Sequence, residues 1–124
     1  MAVSSGVIKI TDLKESYLAQ LYSLLDAGAI KKAGLKVAAD ANHGSARAYL
    51  RPALEKLGVK VLSLREDRDV LFGGAAPGIG PEHLRILGET VAKNRLHLGL
   101  ACDGDGDRYG VVDSDGTWIH PNLV

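Results

Sequence analysis

The chain has 124 residues, enough for one ordinary domain. Its 15 basic and 15 acidic residues cancel, so no bulk charge draws it to nucleic acid or to an anionic membrane. Hydrophobic residues make up 46% and charged residues 24%, the balance of a soluble globular protein, and its apolar runs are all too short to span a bilayer. The single cysteine, Cys102, excludes an internal disulfide and suits a reducing compartment. Met1–Gly6 lacks the basic and long apolar regions of a signal peptide, so a cytoplasmic location is expected.

Gly6–Ile10 reads as a short strand or an extended arm. Asp12, with Glu15 three residues later in the manner of a capping box, opens a helix whose apolar face is Leu13, Tyr17, Leu18, Leu21, Leu24 and Leu25. Gly28 is its expected stop, and Lys31–Gly34 is expected to be a polar turn. Residues 1–34 therefore read as a connector arm and helix that lead in from a missing upstream domain. The run 35–39 is a strand ending at Asp40–Ser45, and Ser45 is placed to cap a helix over Ala46–Leu57 in which Pro52 kinks the axis or marks a new first turn. A second strand covers 59–64. Four glycines and two prolines in Phe72–Pro81 mean a loop, and Pro81 starts a third helix that runs to about Asn94, with Leu84, Leu87, Val91 and Ala92 inward. Strands at 98–101 and 109–113 follow, then a Ser114–Gly116 turn into Thr117–Ile119. The order β-α-β-α-β plus a hairpin predicts a three-layer α/β/α domain over 35–124. Its small mixed sheet is mostly parallel, with an antiparallel edge strand.

Between the third and fourth strands lies Asp103-Gly104-Asp105-Gly106-Asp107-Arg108. Carboxylates this close repel one another unless something positive neutralises them. A hard divalent cation such as Mg²⁺ or Ca²⁺ prefers carboxylate oxygen, and the glycines let the backbone curl so that the three acids converge. The position, at the end of a sheet, is where open α/β folds bind ligands. An EF-hand loop counted from Asp103 would need glycine at its sixth position and an acid at its twelfth, where this chain has Arg108 and Ser114. That pattern is excluded. A plain solvated turn between two strands is the competing reading.

The acidic stretch closely resembles the metal-binding loop of the α-D-phosphohexomutases, the family of phosphoglucomutase and phosphomannomutase. Other segments extend the likeness. Asp40-Ala41-Asn42-His43-Gly44 resembles the family's strand-end D-x-x-x-G, and Phe72-Gly73-Gly74 through Pro77 to Pro81-Glu82-His83-Leu84 resembles its F-G-G-x-x-P-x-P-x-P-E-x-L stretch. Gly110-Val111-Val112-Asp113 with Gly116 fits the segment after the metal loop. Their order matches the second of the family's four domains over roughly residues 35–124. Gly78 and Ile79 stand where many members have an acid and a proline, so a role for that acidic position does not carry over.

The resemblance implies Mg²⁺ held by Asp103, Asp105 and Asp107, together with a phosphoserine oxygen from the first domain. It also implies a reaction in which that phosphoserine phosphorylates a hexose monophosphate and takes back the other phosphoryl group of the bisphosphate intermediate. Arg108 is the catalytic candidate, its fork suited to phosphate oxygens and to the excess negative charge of three carboxylates around one Mg²⁺. None of the seven serines has the T-x-S-H-N-P-type context of the phosphorylated serine, so the chain alone is expected to be inactive. Its partners would be a hexose phosphate and the other domains of a parent mutase. His43 reads as a loop-packing or exposed residue more readily than a catalytic one, and Cys102 as small packing more readily than a nucleophile. Two further readings stay open: a non-catalytic α/β module that binds a cation or phosphorylated ligand, and a structural domain whose acidic loop is only a turn.

Overall fold

The computed structural model describes residues 6–124; the reading of Met1–Ser5 lies outside them. Its nine regular elements, in chain order, are α1 (Lys14–Ser23), α2 (Ala27–Ala33), β1 (Lys36–Asp40), α3 (Leu50–Lys56), β2 (Lys60–Leu64), α4 (Arg85–Asn94), β3 (Leu98–Cys102), β4 (Tyr109–Asp113) and β5 (Trp118–Ile119). They build one five-stranded sheet in the order β2-β1-β3-β4-β5. β1 lies parallel to both β2 and β3, while β4 is antiparallel to both β3 and β5.

The topology follows from the connections. A parallel crossover is almost always right-handed, so stepping outward from β1 to β2 and then back past it to β3 puts the two crossover helices on opposite faces. On one face, α4 packs Leu87 and Val91 onto Ala38, Ala101 and Val112, with Leu84, Leu64, Leu96 and Trp118 around them. On the other, Val37, Leu57 and Val59 form a second cluster with Leu54, Val61, Leu98 and Leu100, to which Tyr22 and Ile30 add cover. The result is the predicted α/β/α sandwich. The strand order reverses between β1 and β3, and ligands of open α/β sheets bind outside the carboxyl ends at such a point.

Several boundaries differ from the sequence reading. Residues 7–10 form an exposed arm and no strand. The first helix ends at Ser23, and the expected polar turn is instead α2, which Asp26 caps by accepting from the Ala29 amide at 2.9 Å and Gly34 closes in the left-handed region. Gly28 sits inside its first turn, not at a stop. Of the six residues proposed for the apolar face of the first helix, only Leu18 is buried, and Leu13, Tyr17 and Leu24 are exposed. Asp12 accepts from the Lys14 amide at 2.9 Å, but the helix starts there without a capping side chain at Leu13. Ser45 lies within a 3₁₀ turn, Ser45–Ala48, and does not cap it; Pro52 falls in the first turn of α3, the second of the two roles foreseen for it. Residues 81–84 make turns, so the third predicted helix starts at Arg85.

Leu87 is fully buried beneath α4. Leu87→Ala removes its contacts and leaves a cavity that the surrounding strands cannot fill, which costs about 2–5 kcal/mol. Urea unfolding of the two proteins should show the midpoint lowered accordingly.

Candidate metal centre

Four segments meet at the carboxyl end of the parallel strands. Asp40–Ser45 leaves β1, Arg65 follows β2, Pro77–Gly80 approaches from the side, and Asp103–Arg108 leaves β3. The acidic loop is a closed turn built around Asp103, which is 1% exposed. Asp103 Oδ1 accepts from the amides of Gly106 and Arg108, both at 3.1 Å, and Oδ2 accepts from Arg108 Nε at 2.8 Å. Neighbouring loops clamp the turn through its backbone. The Ser45 amide donates to Gly104 O at 2.9 Å, and the Gly104 amide donates to Pro77 O at 3.1 Å.

This fit requires glycine. A Cβ on Gly44 would lie 2.5 Å from Gly104 O, and one on Gly104 would lie 2.8 Å from Pro77 Cγ. Asp105 and Asp107 stand outward and exposed. One carboxylate oxygen from each of Asp103, Asp105 and Asp107 can be chosen so that all three lie within 4.8 Å of one another. Oxygens on opposite sides of a Mg²⁺ ion, at about 2.0–2.1 Å each, are about 4.1 Å apart. Three ligands of one octahedral ion include at most one such opposite pair, and adjacent oxygens lie about 2.9 Å apart. Closing the set therefore needs up to about 2 Å of movement, which the two exposed side chains can supply. The residues fit a hard cation.

The electrostatics divide the three acids. Burial alone would raise the Asp103 carboxyl, but its bonds from the Arg108 backbone and side chain outweigh this and hold it below the usual carboxylate range. The Asp107 carboxyl is raised, chiefly by the charge of Asp105, with slight desolvation by its neighbours and Asp103 adding to this. The Arg108 guanidinium is 65% exposed and lies 3.6 Å from Asp107 Oδ1. Among the described residues its terminal nitrogens make no hydrogen bond, so the fork faces a cleft of about 820 Å³ edged by Phe72, Pro77, Ile79, His83 and Asp105.

The other sequence candidates fall outside this group. His43 packs a loop: its Nδ1 is 3.1 Å from Asp67 O, and its side chain is largely buried. Burial, followed by the charges of Asp103 and Asp40, pushes the Cys102 thiol up, which argues against a nucleophile. The sequence marked Asp40 and Asn42 only as part of a D-x-x-x-G segment, with no role assigned, and did not single out Arg65. Fully buried Asp40 is committed to Arg65 through Nε at 2.9 Å and through Nη2, and to the Asn42 amide at 3.0 Å. It is a structural acid and not a fourth ligand. The signal that could have marked it is its place at a strand end, beside the arginine that directly follows the neighbouring strand.

Residues 15–116 match the family model described as phosphoglucomutase/phosphomannomutase, alpha/beta/alpha domain II. The chain belongs to the phosphohexomutase family. It is 34% identical over 119 residues to a phosphoglucosamine mutase of Caldicellulosiruptor saccharolyticus, covering 96% of this chain and 26% of that protein. It is 36% identical over 125 residues to a phosphomannomutase/phosphoglucomutase of Pseudomonas aeruginosa, covering 100% of this chain and 26% of the relative. Among solved structures, a putative phosphomannomutase from Thermus thermophilus superposes with a TM-score of 0.81 at 29% identity over 90% of this chain and 26% of that one. The chain thus spans about a quarter of the length of the curated relatives it matches. The longer relatives carry other domains besides the one matched here.

If Asp105 is what raises Asp107, Asp105→Asn should lower the midpoint at which Asp107 titrates. Removing a repelling charge favours the ionised form. The side-chain carboxyl ¹³C shift of Asp107, followed against pH in both proteins, reads this directly; an unmoved midpoint would contradict the assignment.

Proposed function

We propose that residues 35–124 are the metal-binding domain of a phosphohexomutase, with residues 1–34 as the connector from a first domain. The parent interconverts hexose 1-phosphate and hexose 6-phosphate through a phosphoserine and a bisphosphate intermediate, and this chain alone does not turn over. The observation that carries the reading is the convergence of three carboxylates beside an arginine fork that faces an open cleft. Mg²⁺ held by Asp103, Asp105 and Asp107 would supply Lewis-acid stabilisation of the transferring phosphoryl group. The residues here divide the remaining work. Asp103 is buried, ionised and already bonded on both oxygens, so it sets the loop's shape before any ligand arrives. Asp105 and Asp107, both exposed, would supply the outer ligands of the cation. Arg108 keeps Nε on Asp103, which would leave its terminal nitrogens for phosphate oxygens in the bidentate geometry that guanidinium favours. Phosphoryl transfer needs chiefly positioning and charge neutralisation, and these are the two things this loop offers.

The solved relative named as a putative phosphomannomutase shares the fold, and the curated relative named as a phosphoglucosamine mutase supports an amino-sugar phosphate equally well. The hexose is therefore left as a class. Among the described residues no helix is long and apolar enough to cross a membrane.

Mg²⁺ titrated into the ¹⁵N-labelled chain should shift residues 102–109 saturably, and Asp105→Asn should weaken the response by about tenfold or more, the size of loss seen when a metal's supporting groups are removed. Shifts scattered over the surface, or equal in the two proteins, would sink the cation reading. The same substitution in a parent mutase should depress activity with the fold intact.

A further inference from the structure

We propose that Asn42 is the positioning residue of the acidic loop, through an amide clamp that no ligand-forming side chain provides; this rests on the cation reading of that loop. Asn42 is 1% exposed and leaves β1 at the point where the strand order reverses. Its Nδ2 donates to Cys102 O at 2.7 Å, the carbonyl directly before Asp103. The same nitrogen donates to Gly78 O at 3.2 Å, on the loop that touches Gly104 from the other side. One buried amide group therefore sets the spacing of three loops. Both partners are carbonyls, so the side chain must present its nitrogen to them, and its orientation is fixed.

Asparagine at this position carries two local costs. Its backbone lies in the left-handed region, at φ 49°, and its neighbour His43 does as well, at φ 55°. Asparagine enters that region more readily than most residues, but glycine does so without penalty. Asn42 Oδ1 is also buried without a hydrogen-bond partner, and such an acceptor is normally satisfied. Backbone geometry alone would select glycine, and packing alone would not leave an orphaned acceptor. What asparagine adds is the two-carbonyl clamp. Strain that persists next to a cluster of candidate ligands is the pattern of positions held for a site's geometry.

Asn42→Gly tests this directly, because it removes the amide while keeping the backbone conformation. In the full chain, ¹⁵N relaxation should show the amides of 103–108 falling from order parameters near ~0.85 toward ~0.6 or below, the change from rigid to flexible backbone. Affinity for Mn²⁺ with inorganic phosphate present, read by paramagnetic broadening, should drop by about tenfold, as expected for groups that orient metal ligands. A merely structural role would lower the thermal midpoint but leave loop order and Mn²⁺ affinity of the folded protein unchanged, and that result would overturn the proposal. Should Asn42→Gly fail to fold, Asn42→Ser, which keeps one short donor, is read by the same two measurements. Wild-type protein that binds no Mn²⁺ would count against the cation reading itself, while the relaxation data would still decide whether Asn42 orders the loop.

Discussion

The carboxyl end of this sheet depends on a close approach of backbone to backbone. Gly44 and Gly104 sit so near that a single methyl at position 44 would meet the Gly104 carbonyl at 2.5 Å. The contact is fastened by the Ser45 amide on that carbonyl and by the Gly104 amide on Pro77. Everything that makes the loop chemically interesting follows from it. With the turn pinned, Asp103 points inward and is satisfied by its own loop, while Asp105 and Asp107 are held beside it in spite of their mutual repulsion. A looser loop would let three carboxylates drift apart, as like charges do in water.

Electrostatics then divides the acids into those that build and those that wait. Asp40 and Asp103 are buried, and each has an arginine on its carboxylate, with one backbone amide on Asp40 and two on Asp103. A buried charge with this many partners is costly to disturb, because removing one partner strands the other. Asp103 belongs partly to both groups, since its lowered pKa keeps it ionised well into acid while the raised Asp107 takes up a proton first. For the folded state the signs are opposite. The bonds of Asp103 stabilise at neutral pH and are lost only as pH falls through its lowered pKa, whereas repulsion at Asp107 is relieved as pH falls through its raised one. A cation would relieve the same repulsion without acid.

Much of this was legible in the residues. Short apolar runs between glycine- and aspartate-rich turns located β1 to β4, and the spacing of Leu84, Leu87 and Val91 marked the inner face of the third predicted helix. Asp103, Asp105 and Asp107 were legible as a group because glycine spacing and charge repulsion both act within a few residues. The misreadings have local causes. Leucines at helical spacing over 13–25 suggested one long buried helix, yet most of that face is exposed, and a cap at Asp26 restarts the chain as α2. Asn42 was out of reach for a different reason. Its partners, Gly78 and Cys102, are 36 and 60 residues away, and no local pattern reports a hydrogen bond of that span.

The central claim is that the fold presents Asp103, Asp105 and Asp107 as one cation site. Crystals of the chain soaked in Mn²⁺ with inorganic phosphate, with data collected at the manganese edge, test it most directly. The account predicts a single strong anomalous peak among the three carboxylates, at oxygen distances near those of a hexacoordinate divalent ion, with phosphate against Arg108. No peak there, or one on other carboxylates with the acidic loop unchanged, would contradict it.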